Sequence, residues 1–264
     1  MIITDQLGQQ VQLAKTPTRI ISLVPSITEL LYDLDVGDRL VGRTKFCVHP
    51  QHIRSQVADV GGTKNPRWDT IRSLEPDLII ANKEENTKSD VEELSKSFPV
   101  WVSDVKTTAD TLGLIESLGS ILGSPTKANQ LRLALDQVIE KGCLLSGSVA
   151  YLIWKDPYMT VGHDTYIHHM LETIGLQNVF AAHTRYPSVT LEMIKEHQPD
   201  YVFLSSEPYP YKEPHRREIS NSLPQSSVIL VDGEFFSWYG TRLLKKSGYA
   251  QELSDILGPS ISLS

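Results

Sequence analysis

The chain has 264 residues, which at roughly 150 residues per domain points to about two modest domains. Hydrophobic residues at 40% and charged residues at 22% are those of an ordinary globular chain, which excludes disorder, collagen and fibres. A net charge of −7 makes nucleic acid a poor partner, because such a surface repels polyanions.

Strand-like apolar runs alternate with helical patterns almost from the start, the signature of βαβ units around mainly parallel sheets. After Gly8, Val11 and Leu13 alternate with polar residues as in a short amphipathic hairpin. Arg19 to Val24 reads as a buried strand, Pro25-Ser26 as a turn, and Ile27, Leu30, Leu31 and Leu34 as the stripe of a helix expected to stop near Gly37. Leu78 to Ala81 and Val100 to Val102 are the next clear strands, preceded by helical patterns at Asp69 to Leu74 and Asp90 to Lys96. A helix over Thr108 to Leu122 follows. Ser124 to Gly142 has the best helix punctuation in the chain, with Ser124 as N-cap, Pro125 at the first position and Gly142 past the end. Leu131, Ala134, Leu135 and Val138 form its expected apolar face. The strand-then-helix rhythm restarts at Val149 to Ile153, so the predicted division is 1–123, a connecting helix 124–142, and 143–264.

The second half echoes the first. Asp69, Ile71, Pro76 and Asp77 recur at one constant offset as Glu192, Ile194, Pro199 and Asp200. In both places an acid opens a short helix, and a Pro-Asp pair leads into an apolar strand. Self-similarity of this kind predicts two similar lobes.

Motifs for dinucleotides, phosphates, α/β-hydrolase nucleophiles and zincins are absent from the sequence, which argues against an enzyme. His168 and His169 are neighbours on a predicted helix and point in different directions. Cys47 and His49 share a face if extended, which leaves a soft-metal contact open beside the plainer reading of a buried Cys and a surface His. Cys47 and Cys143 are far apart and form no C-x-x-C pair, so no disulfide framework or metal ribbon is expected. No apolar run approaches the roughly 20 residues that span a bilayer. Residues Met1 to Gln6 lack the features of a secretory leader, so the chain is expected to be cytosolic or to have lost one. Trp154, Tyr158, Tyr186, Phe235, Phe236, Trp238 and Tyr239 fall in loop-like sequence near strand ends. Ligands of open α/β sheets bind outside the carboxyl ends of strands, so a small-molecule site is expected there.

RIISLVPSITELLYDLDVGDRLVG (Arg19 to Gly42), VGGTKNPRWDTIRSLEPDLIIA (Val60 to Ala81) and WYGTRLLKKSGYAQELSDIL (Trp238 to Leu257) together resemble the helical-backbone substrate-binding proteins of ABC importers, the group that takes up cobalamin and ferric siderophores. The resemblance runs over nearly the whole chain and is nearest to the cobalamin branch. It implies an α/β fold of two Rossmann-like lobes with mainly parallel sheets joined by one long backbone helix, class III in type, with little hinge motion and the ligand in a cleft between the lobes. Carried over by position, Ser26, Phe46, Cys47, Lys83 and Glu84 of the first lobe and Tyr158, Arg185, Tyr186, Phe235 and Trp238 of the second would bind the ligand. Cobalamin receptors of this pattern have tryptophans where this chain has Lys64 or Asn65 and Lys83 or Glu84, so charge replaces a stacking surface. That departure favours a polar or metal-chelate ligand over a corrinoid. Arg185 could serve a ligand carboxylate or phosphate, or only a surface carboxylate. Asp69 and Glu192 match the carboxylates that dock on a permease dimer, although an acid at a helix N-terminus also gains roughly 0.3 to 1 kcal/mol there.

The resemblance thus implies a monomeric, extracytoplasmic binding component with no catalytic residues, no intrinsic cofactor and no metal site of its own, carrying cobalamin or a ferric chelate. A cytoplasmic ligand-binding protein of the same fold is the alternative, and an enzyme using the cleft is a further one.

Overall fold

Runs without polar interruption become strands buried on both faces, as parallel strands covered by helices must be. Ile20, Ile21, Leu78, Ile79, Ile80, Val202, Phe203 and Leu204 are all completely buried. The computed structural model describes residues 1–140 and 145–257. The chain divides into two units, the first comprising Met1–Val105, Ala109–Asp136 and Tyr239–Arg242, the second Lys106–Thr108, Gln137–Trp238 and Leu243–Ser264.

The first part of the chain forms β1 (Ile2–Thr4), β2 (Gln10–Gln12), β3 (Ile20–Ser22), α1 (Pro25–Asp33), β4 (Leu40–Arg43), α2 (Ile53–Gln56), β5 (Ala58–Asp59), β6 (Gly61–Gly62) and β7 (Asn65–Pro66). It continues with α3 (Trp68–Ser73), β8 (Leu78–Asn82), α4 (Lys88–Ser95), β9 (Val100–Ser103), α5 (Thr108–Ile121) and α6 (Pro125–Glu140). The main sheet has the order β5-β4-β3-β8-β9, and every pairing in it is parallel. The expected hairpin is the antiparallel pair β1-β2. Helix α1 buries Ile27, Leu30 and Leu31, with Leu34 as its C-cap. It stops at Asp33 rather than near Gly37, and Asp35 takes the left-handed conformation past its end (φ 60°). Gly37 serves another purpose: a Cβ there would lie 2.4 Å from the Tyr32 ring.

The second part forms β10 (Ser148–Leu152), β11 (Tyr158–Met159), α7 (Tyr166–Thr173), β12 (Gln177–Asn178), β13 (Ser188–Val189) and α8 (Leu191–His197). Then come β14 (Tyr201–Ser205), α9 (Glu213–Ser222), β15 (Ser227–Val231), α10 (Gly233–Ser237), α11 (Arg242–Lys245) and α12 (Tyr249–Leu257). Its main sheet, β12-β10-β14-β15, is also parallel throughout. The α/β class with mainly parallel sheets is therefore as the alternation predicts.

Helix α6 begins in the first unit and ends in the second, the division falling after Asp136. Gly142, its expected stop, lies outside the described residues. Of the expected apolar face only Leu135 is fully buried, while Leu131, Ala134 and Val138 are half-buried. Ala128 is buried instead, because α5 crosses at Gly119, where a Cβ would come within 2.2 Å of the Ala128 methyl.

The sequence echo has a backbone counterpart in each unit. Ile71 and Ile194 are both fully buried. Glu75 (φ 43°) and Gln198 (φ 48°) both turn left-handed just before a proline. Asp77 accepts the backbone N–H groups of Thr18 and Arg19, and Asp200 accepts that of Ser148 at 2.7 Å. Each aspartate thus fastens the start of the first main-sheet strand of its own unit.

Candidate functional site

In an open parallel sheet the ligand crevice opens outside the carboxyl ends of the strands, where the strand order reverses. In the first unit the chain lays β4 and β5 to one side of β3 and β8 and β9 to the other, so the reversal lies between β3 and β8. In the second unit it lies between β10 and β14. This rule selects one group of loops in each unit.

In the first unit, β3 leads into Ser26 at the start of α1, and β8 leads into Lys83 and Glu84. The short loop after β8 is fixed by two asparagines, residues whose side chains readily mimic backbone in turns. Asn82 accepts the N–H groups of Glu84 (2.7 Å) and Glu85 (3.1 Å), and Asn86 accepts that of Asn82 (2.8 Å). Asn86 also donates to the Thr63 carbonyl at 2.9 Å. Lys83 is exposed, but its ammonium sits 2.6 Å from Asp104, so its charge is locally balanced. Ser26 is buried. Nearby, the buried Tyr239 hydroxyl lies 3.4 Å from Glu85. Burial first, and then the Glu85 charge, push that hydroxyl well above the ordinary tyrosine value.

After β4, Phe46 is half exposed with the Lys45 ammonium 5.0 Å from its ring centre. Cys47 is completely buried and its sulfur lies 3.1 Å from Thr28 Oγ1 and 3.2 Å from Thr44 Oγ1. Burial pushes this thiol up, so it is a neutral core group. Among the described residues no group of three or more His, Cys, Asp or Glu side chains could hold a metal ion. Cys143 lies outside the described residues.

In the second unit, the two-stranded pair β11-β13 sets Tyr158 opposite Val189. The segment leading into β13 carries Arg185 and Tyr186. Arg185 is exposed and left-handed (φ 61°), with its N–H on Asp164 at 2.5 Å. Its guanidinium lies 5.9 Å from the Tyr186 ring centre, within cation–π range. Phe235 and Trp238 are nearly buried, at 5% and 7% exposure. Phe235 turns into the unit, where with Val138, Ile139, Met170, Ile174 and Leu243 it lines a largely apolar cavity of about 310 Å³.

Trp238 is held by a residue that the sequence reading did not single out. Its indole N–H donates to Glu207 Oε1 at 2.8 Å, and Ser237 Oγ donates to the same oxygen at 2.6 Å. Glu207 follows β14 and is half-buried. Gly233 makes the fit possible, since a Cβ there would lie 2.6 Å from Glu207 Cγ and 2.5 Å from Ser205 Oγ. Burial pushes the Glu207 carboxyl up, and the charges of Glu234 and Asp232 add to this; the bonds from Ser237 and Trp238 act the other way. Beside it in the chain, Tyr209 makes an edge contact with Trp154 at 5.8 Å between ring centres, and Trp154 remains 41% exposed. These rings and Glu207 follow β10 and β14, the two strands at the reversal. The signal in the sequence was Ser-Ser-Glu-Pro-Tyr-Pro-Tyr directly after an apolar strand.

Asp69 and Glu192 are both exposed, in the first turns of α3 and α8. Each helix runs back against the strand that follows it, so its N-terminus lies at the carboxyl edge of its own sheet.

The model of the family described as "Periplasmic binding protein" matches residues 20–226. A Bacillus subtilis (strain 168) protein named "Uncharacterized ABC transporter substrate-binding lipoprotein YvrC" is 29% identical, over 97% of this chain and 85% of its own length. A vitamin B12-binding protein of Vibrio parahaemolyticus is 27% identical over 71% of this chain and 70% of its own. The crystal structure of the periplasmic vitamin B12 binding protein BtuF of Vibrio cholerae superposes with a TM-score of 0.77 at 21% identity, covering 92% of this chain and 98% of that one. With the model matched over most of its length, and two parallel α/β units that each carry a ligand-type edge, the chain belongs to the periplasmic binding protein family.

Proposed function

We propose that the chain is the substrate-binding component of an ABC importer, taking a cobalamin-like or metal-chelate ligand at the carboxyl edges of its sheets and presenting it to a permease. The observation that carries this reading is the second unit's strand reversal, where the exposed Trp154 meets Tyr209 edge-on after β10 and the half-buried Glu207 follows β14. A flat macrocycle or chelate needs such apolar faces for its body and a few fixed polar groups for its rim. The names of the relatives support transport and a corrinoid among the candidates. Ser26, Phe46, Lys83 and Glu84 of the first unit and Tyr158, Arg185, Tyr186 and Trp238 of the second are the other proposed contacts. Cys47 and Phe235 support them from within the fold. Function as a monomer outside the cytoplasm, with Asp69 and Glu192 docking on the permease, completes the proposal. No helix among the described residues is long and apolar enough to cross a membrane.

Titration of cyanocobalamin, dicyanocobinamide, haem and a panel of ferric siderophores, read by quenching of tryptophan fluorescence, tests this. A scavenging receptor should bind one of them with a dissociation constant of about 1 μM or tighter, near −8 kcal/mol. Absence of saturable binding below about 100 μM for all of them overturns the reading.

A further inference from the structure

We propose that Glu207 sets ligand specificity at the second unit's edge, admitting a macrocycle rimmed with primary amides, as corrinoids are, and rejecting one rimmed with carboxylates, as haem is. The inference rests on the transport reading above and narrows its ligand class to the corrinoid side, against the preference for a polar chelate drawn from Lys64, Asn65, Lys83 and Glu84 of the first unit. Glu207 follows β14, at the strand reversal where the ligand crevice is expected. Its position is built rather than incidental: Ser237 and Trp238 both bond to Oε1, Gly233 leaves room for its side chain, and the Ser205 hydroxyl donates to its carbonyl at 2.5 Å. The hydrogen bonds found for this carboxylate among the described residues all fall on Oε1, which leaves Oε2 as the acceptor offered to a ligand.

The charges around it decide the sign of the preference. Glu234 and Asp232 both act on Glu207, and both are acidic. The nearby Lys246 ammonium is engaged by Asp232 at 2.8 Å. An amide N–H₂ arriving at this oxygen gains a charge-assisted hydrogen bond. A propionate arriving at the ionised carboxylate meets a like charge, and no ion pair is found for Glu207 among the described residues; this is the repulsive element by which a site discriminates between ligands of similar body. Trp154, exposed after β10, offers an apolar surface that either macrocycle could use, so the rim and not the body is what this edge reads.

The test compares dissociation constants for dicyanocobinamide and haem in the wild-type protein, Glu207→Gln, Ser237→Ala and Glu196→Gln. Glutamine keeps an acceptor for Trp238 and Ser237, removes the charge and puts an amide N–H₂ donor in the place of Oε2. Wild type should favour cobinamide by about tenfold or more, and Glu207→Gln should shrink that ratio by about tenfold, chiefly by gaining haem affinity. Ser237→Ala, which loses a bond to the same oxygen but keeps the charge, should preserve the ratio. So should Glu196→Gln, an equal change of net charge at an exposed position of α8. Saturable binding with an unmoved ratio in Glu207→Gln overturns this inference and leaves the transport reading standing. A ratio that collapses equally in Ser237→Ala or Glu196→Gln overturns it too, in favour of loop geometry or overall charge. Binding of neither ligand by the wild type, with a ferric siderophore bound instead, also overturns it alone; binding of nothing overturns both.

Discussion

Asp200 illustrates how a single exposed carboxylate can fasten a strand. It receives the N–H and the hydroxyl of Ser148, each at 2.7 Å, and the backbone bond is the first cause of its lowered pKa, followed by the hydroxyl. A carboxyl whose folded pKa is depressed contributes stability above its unfolded value, near 3.9, and loses that contribution as pH falls through the folded value. Asp200→Asn should therefore cost about 1 kcal/mol or less at pH 7, the small figure reflecting solvent screening. The difference from wild type should narrow below about pH 4. Denaturant unfolding at several pH values measures it, and a difference that grows on acidification would contradict the assignment. Asp77 was legible as part of the same echo, as a Pro-Asp pair leading into an apolar strand, but the N–H groups it accepts from Thr18 and Arg19 show only in the folded chain. Glu207 was not legible. A glutamate beside a proline after a strand reads as a surface turn, and only the folded chain brings Trp238 and Ser237 onto its carboxylate.

At the scale of elements, close approach matters as much as apolar pattern. Gly119 on α5 meets Ala128 on α6 with no room for a methyl group. Gly119→Ala should therefore cost about 1 to 3 kcal/mol despite its better helix propensity. Leu135→Ala, at the fully buried position of α6, should cost about 2 to 5 kcal/mol. Chemical denaturation checks both, and a value near zero at Leu135 would make α6 a solvated connector. Helices with caps and strands of unbroken apolar letters were readable in the sequence for these reasons of burial. Strand β4 was not. Its Leu-Val-Gly-Arg carries a glycine because Ile21 and Val60 press within 2.9 Å of where a Cβ would stand, and an arginine buried by bonds to the Thr44 and Arg54 carbonyls. The two-residue pairs β11-β13 and β6-β7 are too short for any periodicity to show.

For the whole molecule, the expectation concerns docking. In a reconstituted importer, Asp69→Ala combined with Glu192→Ala should abolish transport while ligand affinity stays unchanged; transport that survives the double change would confine both acids to helix-terminus electrostatics. Helix α6 carries the chain out of the first unit, yet Tyr239–Arg242 returns to it. There the Arg242 guanidinium lies 3.0 Å from Glu29 on α1, both side chains almost wholly buried, and Thr241 bonds to Asp33. A buried carboxylate stripped of its counter-ion is costly. Cutting the gene in the middle of α6 therefore does not yield an independent N-terminal fragment: the first unit's last four residues are encoded about a hundred codons downstream, and a recombinant half-protein would need them supplied in trans or grafted onto its end.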